Sequence, residues 1–197
     1  GGLARTRAAL AAFEPYFVLI WGDDQYENCK EDVVPPYCIA AYDRFKFATP
    51  AGNVWGETDK TYDLPGHPKA AKMLATRLIE EGFDTAYAYK PLHHPLGHAF
   101  TNAILYLDYD RKGFNYPLVP FAINFYGRRV LAQRGGLPVF DRNIPDSELD
   151  PPAPTPKRLS DLGAATASIP DDSPDRVGVT ATSAGAPARQ TARHTLP

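Results

Sequence analysis

Cysteine and methionine are scarce in this sequence, and long hydrophobic runs are missing from it. The 197 residues include two cysteines and one methionine. So few cysteines do not make a disulfide scaffold, and we expect Cys29 and Cys38 to be reduced. No apolar run approaches the roughly 20 residues of a membrane-spanning helix. We therefore expect no membrane partner and, from the reduced cysteines, a cytoplasmic location.

An excess of charge of one sign is also missing. The chain carries 21 Lys and Arg against 23 Asp and Glu, a formal net charge of −2. A chain without positive excess has no electrostatic attraction for nucleic-acid phosphates, so we expect no nucleic-acid partner. Hydrophobic residues make up 44% of the sequence, a value typical of globular domains that can bury a core.

Alternating strand and helix patterns predict the fold class. The apolar run at residues 16–21 is typical of a buried strand in a parallel sheet. A helix is predicted between Pro68 and Gly82, which suit a helix start and a helix end. Further helices are predicted at 3–13, 99–107 and 157–167, and further strands at 84–89, 118–124 and 176–182. The sequence therefore predicts an α/β fold, a three-layer αβα sandwich around a largely parallel or mixed sheet.

Two stretches give weaker patterns, and composition divides the chain into segments. Residues 37–47 are expected to form a strand or an irregular edge, and residues 48–64 a loop rich in Pro and Gly. We expect residues 1–140 to form the α/β core and residues 141–156 a Pro-rich linker. Residues 157–182 are expected to return to the core as a helix and a strand, and residues 183–197 to form a disordered tail.

Polar residues follow predicted strands, where open α/β sheets bind ligands. Residues 22–28 (GDDQYEN) come directly after the first strand, and their Asp side chains could instead cap backbone groups of a turn. Residues 92–98 (LHHPLGH) hold His93, His94 and His98, which suit metal binding or acid–base chemistry. The alternative is that one of these histidines caps the next helix and another is solvated. His67, before Pro68, is expected to cap or pack at a helix start.

The ordered set of these motifs resembles the class III extradiol ring-cleavage dioxygenases, the protocatechuate and gallate dioxygenase superfamily, in its catalytic subunit. The similar stretches are GDDQYEN and VPPY at residues 22–28 and 34–37, and LPGHP at 64–68. The histidine loop and YPLVPF at residues 116–121, running into Asn124, complete the set. The resemblance covers roughly residues 16–140, and a weaker similarity extends over residues 151–182.

The resemblance implies Fe(II)-dependent opening of a catechol-type ring by O₂, with two His and one Glu as iron ligands. It places Gln25 at the position of an iron-binding His and His94 at the catalytic His, with His93 and His98 as rival alignments. It also implies that His93, His98 and Tyr26 bind the substrate. The acid–base His position falls on Pro187, and the first iron His and the iron Glu lie beyond the two ends of the chain. The chain is thus expected to be truncated at both ends, with impaired ring cleavage.

Three hypotheses remain open at this point. The first is a dioxygenase-type domain that other residues or chains complete, in a homo- or hetero-oligomer. The second is a non-catalytic scaffold of the same family that binds an aromatic ligand or a partner subunit. The third is a metal hydrolase that uses Asp23, Asp24 and the histidine loop.

Overall fold

The computed structural model describes residues 2–24, 26–48, 60–124, 145–169 and, through the backbone alone, 177–181. The chain folds as α/β around a mixed sheet. Its elements in chain order are α1 (Gly2–Phe13), β1 (Phe17–Asp23), β2 (Tyr37–Ala40), β3 (Arg44–Ala48), β4 (Thr61–Pro65), α2 (Pro68–Glu80), β5 (Ala86–Ala88), α3 (His98–Leu107), β6 (Leu118–Ile123), a 3-10 turn (Asp146–Glu148), α4 (Pro156–Ser168) and β7 (Val177–Ala181).

The main sheet has five strands in the order β5-β2-β6-β1-β7. Strand β1 pairs in parallel with β6 on one side and with β7 on the other. Strand β2 pairs in parallel with β5 but antiparallel with β6. Strands β2 and β5 therefore run opposite to β1, and the carboxyl ends of β1, β6 and β7 share one edge of the sheet, here called the β1 carboxyl edge.

Strand β1 is buried on both faces, as its apolar run predicts. Phe17 and Leu19 face a core that α2 and α4 cover through side chains such as Leu74 and Leu162. Alternate β1 residues, with Ile20 among them, face a second core that α3 covers. Helices on both faces of one sheet make the three-layer αβα sandwich, which confirms the predicted fold class.

The expectation of a loop over residues 48–64 was wrong in part. Residues 61–65 form β4, which pairs antiparallel with β3 in a separate two-stranded sheet. Phe47 and Tyr62 stack across this pair with ring centroids 5.0 Å apart. The short alternation of buried Tyr62 and Leu64 with exposed neighbours is the strand signal that the surrounding loop-like composition obscured. Residues 37–47 contain two strands rather than one.

Helix α2 begins and ends where the sequence predicts. Its N-cap is His67, whose Nδ1 accepts a hydrogen bond from the backbone N–H of Ala70 at 3.1 Å. Gly82 has φ of +82°, the left-handed conformation that glycine adopts just past a helix end. The predicted capping role of His67 is confirmed. Among the described helices, none has both the length and the apolar character needed to cross a membrane.

Asp108, at the end of α3, is a fully buried carboxylate held by three donors. It accepts hydrogen bonds from Lys60 Nζ at 3.0 Å, Tyr62 Oη at 2.8 Å and the Gly113 N–H at 2.7 Å. Burial alone would raise the pKa of Asp108, but these donors outweigh it and hold the pKa below its usual range. The network ties β4 to the end of α3.

Gly66→Ala should strongly destabilise the fold. A Cβ at residue 66 would lie 1.8 Å from the backbone oxygen of Tyr42, which cannot move aside as a flexible side chain does. We expect a loss of about 3 kcal/mol or more in the free energy of unfolding, measured by urea denaturation. Gly163→Ala is the matched control, because its added Cβ would meet no described atom within 4 Å beyond its own helix backbone and chain neighbours, and Ala favours the helix. Equal stability of the two variants would contradict the close contact.

Asp108→Asn should cost about 2–4 kcal/mol at pH 7, because it leaves Lys60 without its buried counter-charge. A carboxyl whose pKa is lowered by folding stabilises the protein above its unfolded pKa, and this contribution is lost as pH falls through the folded pKa. The difference between the variant and the unaltered protein should therefore shrink below about pH 4. Urea unfolding at a series of pH values measures this difference in the free energy of unfolding. A difference that does not change with pH would contradict a lowered pKa of Asp108 in the folded protein.

Candidate functional site

Two buried carboxylates lie at the end of β1. Asp23 is 4% exposed and Asp24 is 1% exposed. Asp24 accepts backbone N–H hydrogen bonds from Asn28 and Cys29, each at 2.8 Å. Burial raises the pKa of Asp24, while these two N–H donors oppose the rise. The interpretation of this segment as a turn capped by an Asp side chain is thus confirmed for Asp24.

Asn124, directly after β6, lies at the β1 carboxyl edge and is hydrogen-bonded to the turn before β2. Its side-chain amide donates to the backbone oxygen of Pro35, and its backbone N–H donates to Pro36 O at 3.1 Å. These bonds hold the turn before β2 against the end of β6. Asn124 was quoted for the family resemblance but was not predicted to belong to the site.

Both cysteines are free thiols, as predicted, and both lie near this edge. Burial, reinforced by the negative charge of Asp24, raises the pKa of Cys29 to about 12 and that of Cys38 to about 11. Thiols with such high pKa values carry almost no thiolate at neutral pH. Neither cysteine is therefore a candidate nucleophile.

Glu27 pairs at this edge with His98, the first residue of α3. Both carboxylate oxygens of Glu27 accept from the His98 backbone N–H, at 3.1 and 3.0 Å. The His98 ring nitrogen Nδ1 lies 2.9 Å from Glu27 Oε2. The side chain of Glu27 is 18% exposed and that of His98 is 40% exposed. The carboxylate is thus largely buried, while the imidazole stays accessible to a ligand.

Small residues bring α3 this close to β1. A Cβ at Gly22 would lie 3.0 Å from the Phe100 ring and 3.1 Å from the Ala99 Cβ. The first turn of α3 therefore packs directly over the end of β1, which places His98 at the β1 carboxyl edge.

The histidine loop reaches this edge by a route that differs from the predicted one. The loop was expected at the site because it follows a strand, but β5 runs opposite to β1 and ends at the other edge of the sheet. Residues 89–97 cross back, a span that nine residues cover easily. His93 already lies at the β1 carboxyl edge, because its Nε2 is 2.9 Å from Asp32 Oδ1 in the loop before β2. The hydrogen bond from His93 holds the pKa of Asp32 below its usual range.

The remaining predicted site residues lie in different places. His94 is exposed on the loop, two residues before the buried Leu96. Tyr26 has φ of +55°, and Lys30 Nζ lies 5.9 Å from the centre of its ring. Gln25, the predicted metal position, lies outside the described residues, as does Pro187.

His67 is not part of this edge. Its backbone N–H donates to Leu118 O at 3.1 Å, at the start of β6, so it lies at the opposite edge from Asp23. Its ring packs 5.1 Å from that of Phe17. Its segment does follow a strand, as expected, but that strand is β4 of the two-stranded sheet, and it ends at the opposite edge from Asp23. The predicted capping role of His67 was right.

The donors that the structure describes do not fit the ferrous site that the resemblance implies. In the described ranges, no three His, Cys, Asp or Glu side chains lie close enough together to hold a metal ion. Glu27 is engaged by His98, and Asp24 by two backbone N–H groups. A site of two His and one carboxylate therefore needs residues outside the described ranges.

Comparison with known proteins finds dioxygenases. The chain is 30% identical over 128 residues to a 2,3-dihydroxyphenylpropionate/2,3-dihydroxicinnamic acid 1,2-dioxygenase of Klebsiella pneumoniae (strain 342), a match that covers 63% of this chain and 35% of that protein. It is 29% identical over 135 residues to the dioxygenase of the same name from Comamonas testosteroni, covering 66% of this chain and 37% of that protein. The Paraburkholderia xenovorans (strain LB400) dioxygenase of that name is 31% identical over 123 residues, with 61% of this chain and 34% of that protein covered.

These matches cover only part of each protein. The chain spans about a third of the length of the curated relatives it matches. No protein-family model matches it. The predicted similarity to dioxygenases of dihydroxylated aromatic compounds is confirmed, and the finer assignment to the class III superfamily stays a prediction.

Proposed function

We propose that the β1 carboxyl edge binds the two adjacent hydroxyls of a catechol-type aromatic compound, as part of an extradiol ring-cleaving dioxygenase. The observation that carries the proposal is the position of His98, an accessible imidazole at the start of α3 whose Nδ1 is held by Glu27. The similarity to 2,3-dihydroxyphenylpropionate dioxygenases supports the choice of ligand.

His98 supplies the chemistry that such a ligand needs. With Nδ1 engaged by Glu27, the nitrogen left for a ligand is Nε2, and no hydrogen bond within the described part of the chain reaches it. A neutral imidazole accepts a proton at this nitrogen, so His98 can take one from a catechol hydroxyl and hold it as an imidazolium. His94, the predicted catalytic histidine, is exposed, and no comparable carboxylate contact orients it among the described residues. We therefore propose His98 as the histidine that accepts the proton.

The non-catalytic alternative has one observation in its favour. The described donors do not fit an iron site, so the same edge could bind an aromatic diol without oxygen chemistry. Ring cleavage in the proposed enzyme would need Fe(II), and the ligands that would hold it lie outside the described ranges. Gln25 as a ligand, Tyr26 and His93 as substrate contacts, the cytoplasmic location and an oligomeric state all stay proposals.

His98→Ala should weaken binding of 2,3-dihydroxyphenylpropionate by about 10- to 100-fold, the loss expected for a hydrogen bond to a charged group. Anaerobic isothermal titration calorimetry measures this affinity without consuming the ligand. His94→Ala tests the rival histidine, and Lys90→Ala, an exposed change in the same loop, is the matched control. An unaltered protein that does not bind the diol, or a His98→Ala variant that binds it as tightly as the unaltered protein, would overturn the proposal.

Reconstitution with Fe(II) under anaerobic conditions should separate the enzyme from the scaffold. Under the enzyme proposal, the desalted protein retains near-stoichiometric iron and, with O₂ and the diol, produces the coloured ring-opened product. Metal quantification and visible absorbance measure the two results. Diol binding without retained iron and without colour would contradict ring cleavage and support the scaffold.

A further inference from the structure

We propose that Glu27 is a positioning residue that fixes the tautomer and orientation of His98, and that Gly97 provides the space for it. This proposal rests on the proposed function, in which His98 Nε2 accepts a proton from the diol. Glu27 does not touch the ligand in this arrangement, and it acts only through His98.

The contacts of Glu27 select one tautomer of the His98 ring. An ionised carboxylate only accepts hydrogen bonds, so the 2.9 Å contact with Glu27 Oε2 requires the proton of the neutral ring to be on Nδ1. The lone pair is then on Nε2, where a proton from the diol can bind. The two bonds from the His98 backbone N–H hold the carboxylate in place from a second direction. The ring therefore has both its tautomer and its orientation set before a ligand arrives.

Glu27 also caps a helix that has no cap of its own. The N-cap of α3 is Gly97, which makes no side-chain capping bond, and the first turn of α3 contains no acidic residue. The N-terminal end of a helix carries partial positive charge and free N–H groups, which favour a carboxylate there. Glu27 supplies that carboxylate from 71 residues away in the chain.

Gly97 makes the arrangement sterically possible. A Cβ at residue 97 would lie 2.9 Å from Glu27 Oε2 and 3.7 Å from Glu27 Cδ. The φ of Gly97 is −57°, which any residue adopts, so its backbone conformation does not require glycine. The space that the carboxylate occupies is the physical reason for glycine at this position. A side chain there would move the end of Glu27 rather than the backbone.

A second carboxylate–histidine pair provides a matched control. Asp32 and His93 are joined by one 2.9 Å contact, with 43% and 31% of their side chains exposed. This pair joins the same two segments of the chain as Glu27 and His98, but its carboxylate is more exposed than that of Glu27. Removing the Asp32 carboxylate therefore changes the same charge in the same region without touching His98.

The test reads the His98 tautomer directly, by ¹⁵N chemical shifts of the ring nitrogens in the ligand-free protein at a pH where the ring is neutral. We expect the unaltered protein and Asp32→Asn to show a single tautomer protonated at Nδ1. Glu27→Gln should populate both tautomers, because an amide both donates and accepts. Gly97→Ala should do the same by displacing the carboxylate, and backbone amide spectra verify that both variants stay folded.

A His98 ring that keeps the Nδ1 proton in both Glu27→Gln and Gly97→Ala would overturn the positioning role. A change of the same size in Asp32→Asn would overturn it too, since it would show a general effect of charge. The tautomer is measured without any diol. An unaltered protein that binds no catechol would therefore contradict the proposed function without deciding the positioning role of Glu27. Where the diol binds, Glu27→Gln should weaken its affinity by about 10-fold, and Lys90→Ala should not.

Discussion

The candidate site depends on the close approach of the first turn of α3 to the end of β1. Helix and strand meet at Gly22, where an added Cβ would lie only 3.0 Å from the Phe100 ring and 3.1 Å from the Ala99 Cβ. This packing places His98 Nδ1 2.9 Å from Glu27 Oε2. The absence of two side chains, at Gly22 and Gly97, therefore sets the position of the imidazole.

The mixed sheet explains why distant segments meet at this edge. Parallel pairing of β1 with β6 brings Asp24 and Asn124 to the same side of the molecule. Antiparallel pairing of β2 with β6 brings the turn at Pro35 and Pro36 to that side as well. Carboxylates, amides and an imidazole thus lie together at the β1 carboxyl edge. The strands that carry them are held between two hydrophobic cores. Such a rigid support is what a binding site for a small, planar diol requires.

The elements with strong local signals could be predicted from the sequence. The apolar run of β1 and the Pro68 and Gly82 boundaries of α2 gave the correct elements because local composition decides them. Strand β4 could not be predicted with the same success, because its five residues lie beside a stretch rich in Gly and Pro and its pattern is short.

The geometry of the site could be predicted only in part. The GDDQYEN segment and the histidine loop were both identified, and Asp24 was expected to cap a turn. The direction of β5 and the contact between Glu27 and His98 depend on tertiary packing, which pairs residues 71 positions apart. The sequence therefore indicated three candidate histidines. Only the packing of α3 on β1 distinguishes His98 from His93 and His94.

The proposed function requires that an aromatic diol binds at the β1 carboxyl edge. Backbone and histidine NMR resonances, followed while 2,3-dihydroxyphenylpropionate is added to the protein without O₂, test it most directly. We expect the resonances of His98 and of the amides at residues 22–24 and 26–28 to shift together in a saturable manner, while those of His67 at the opposite edge do not change. Saturable shifts centred on His67 or on β5, with His98 unchanged, would contradict it.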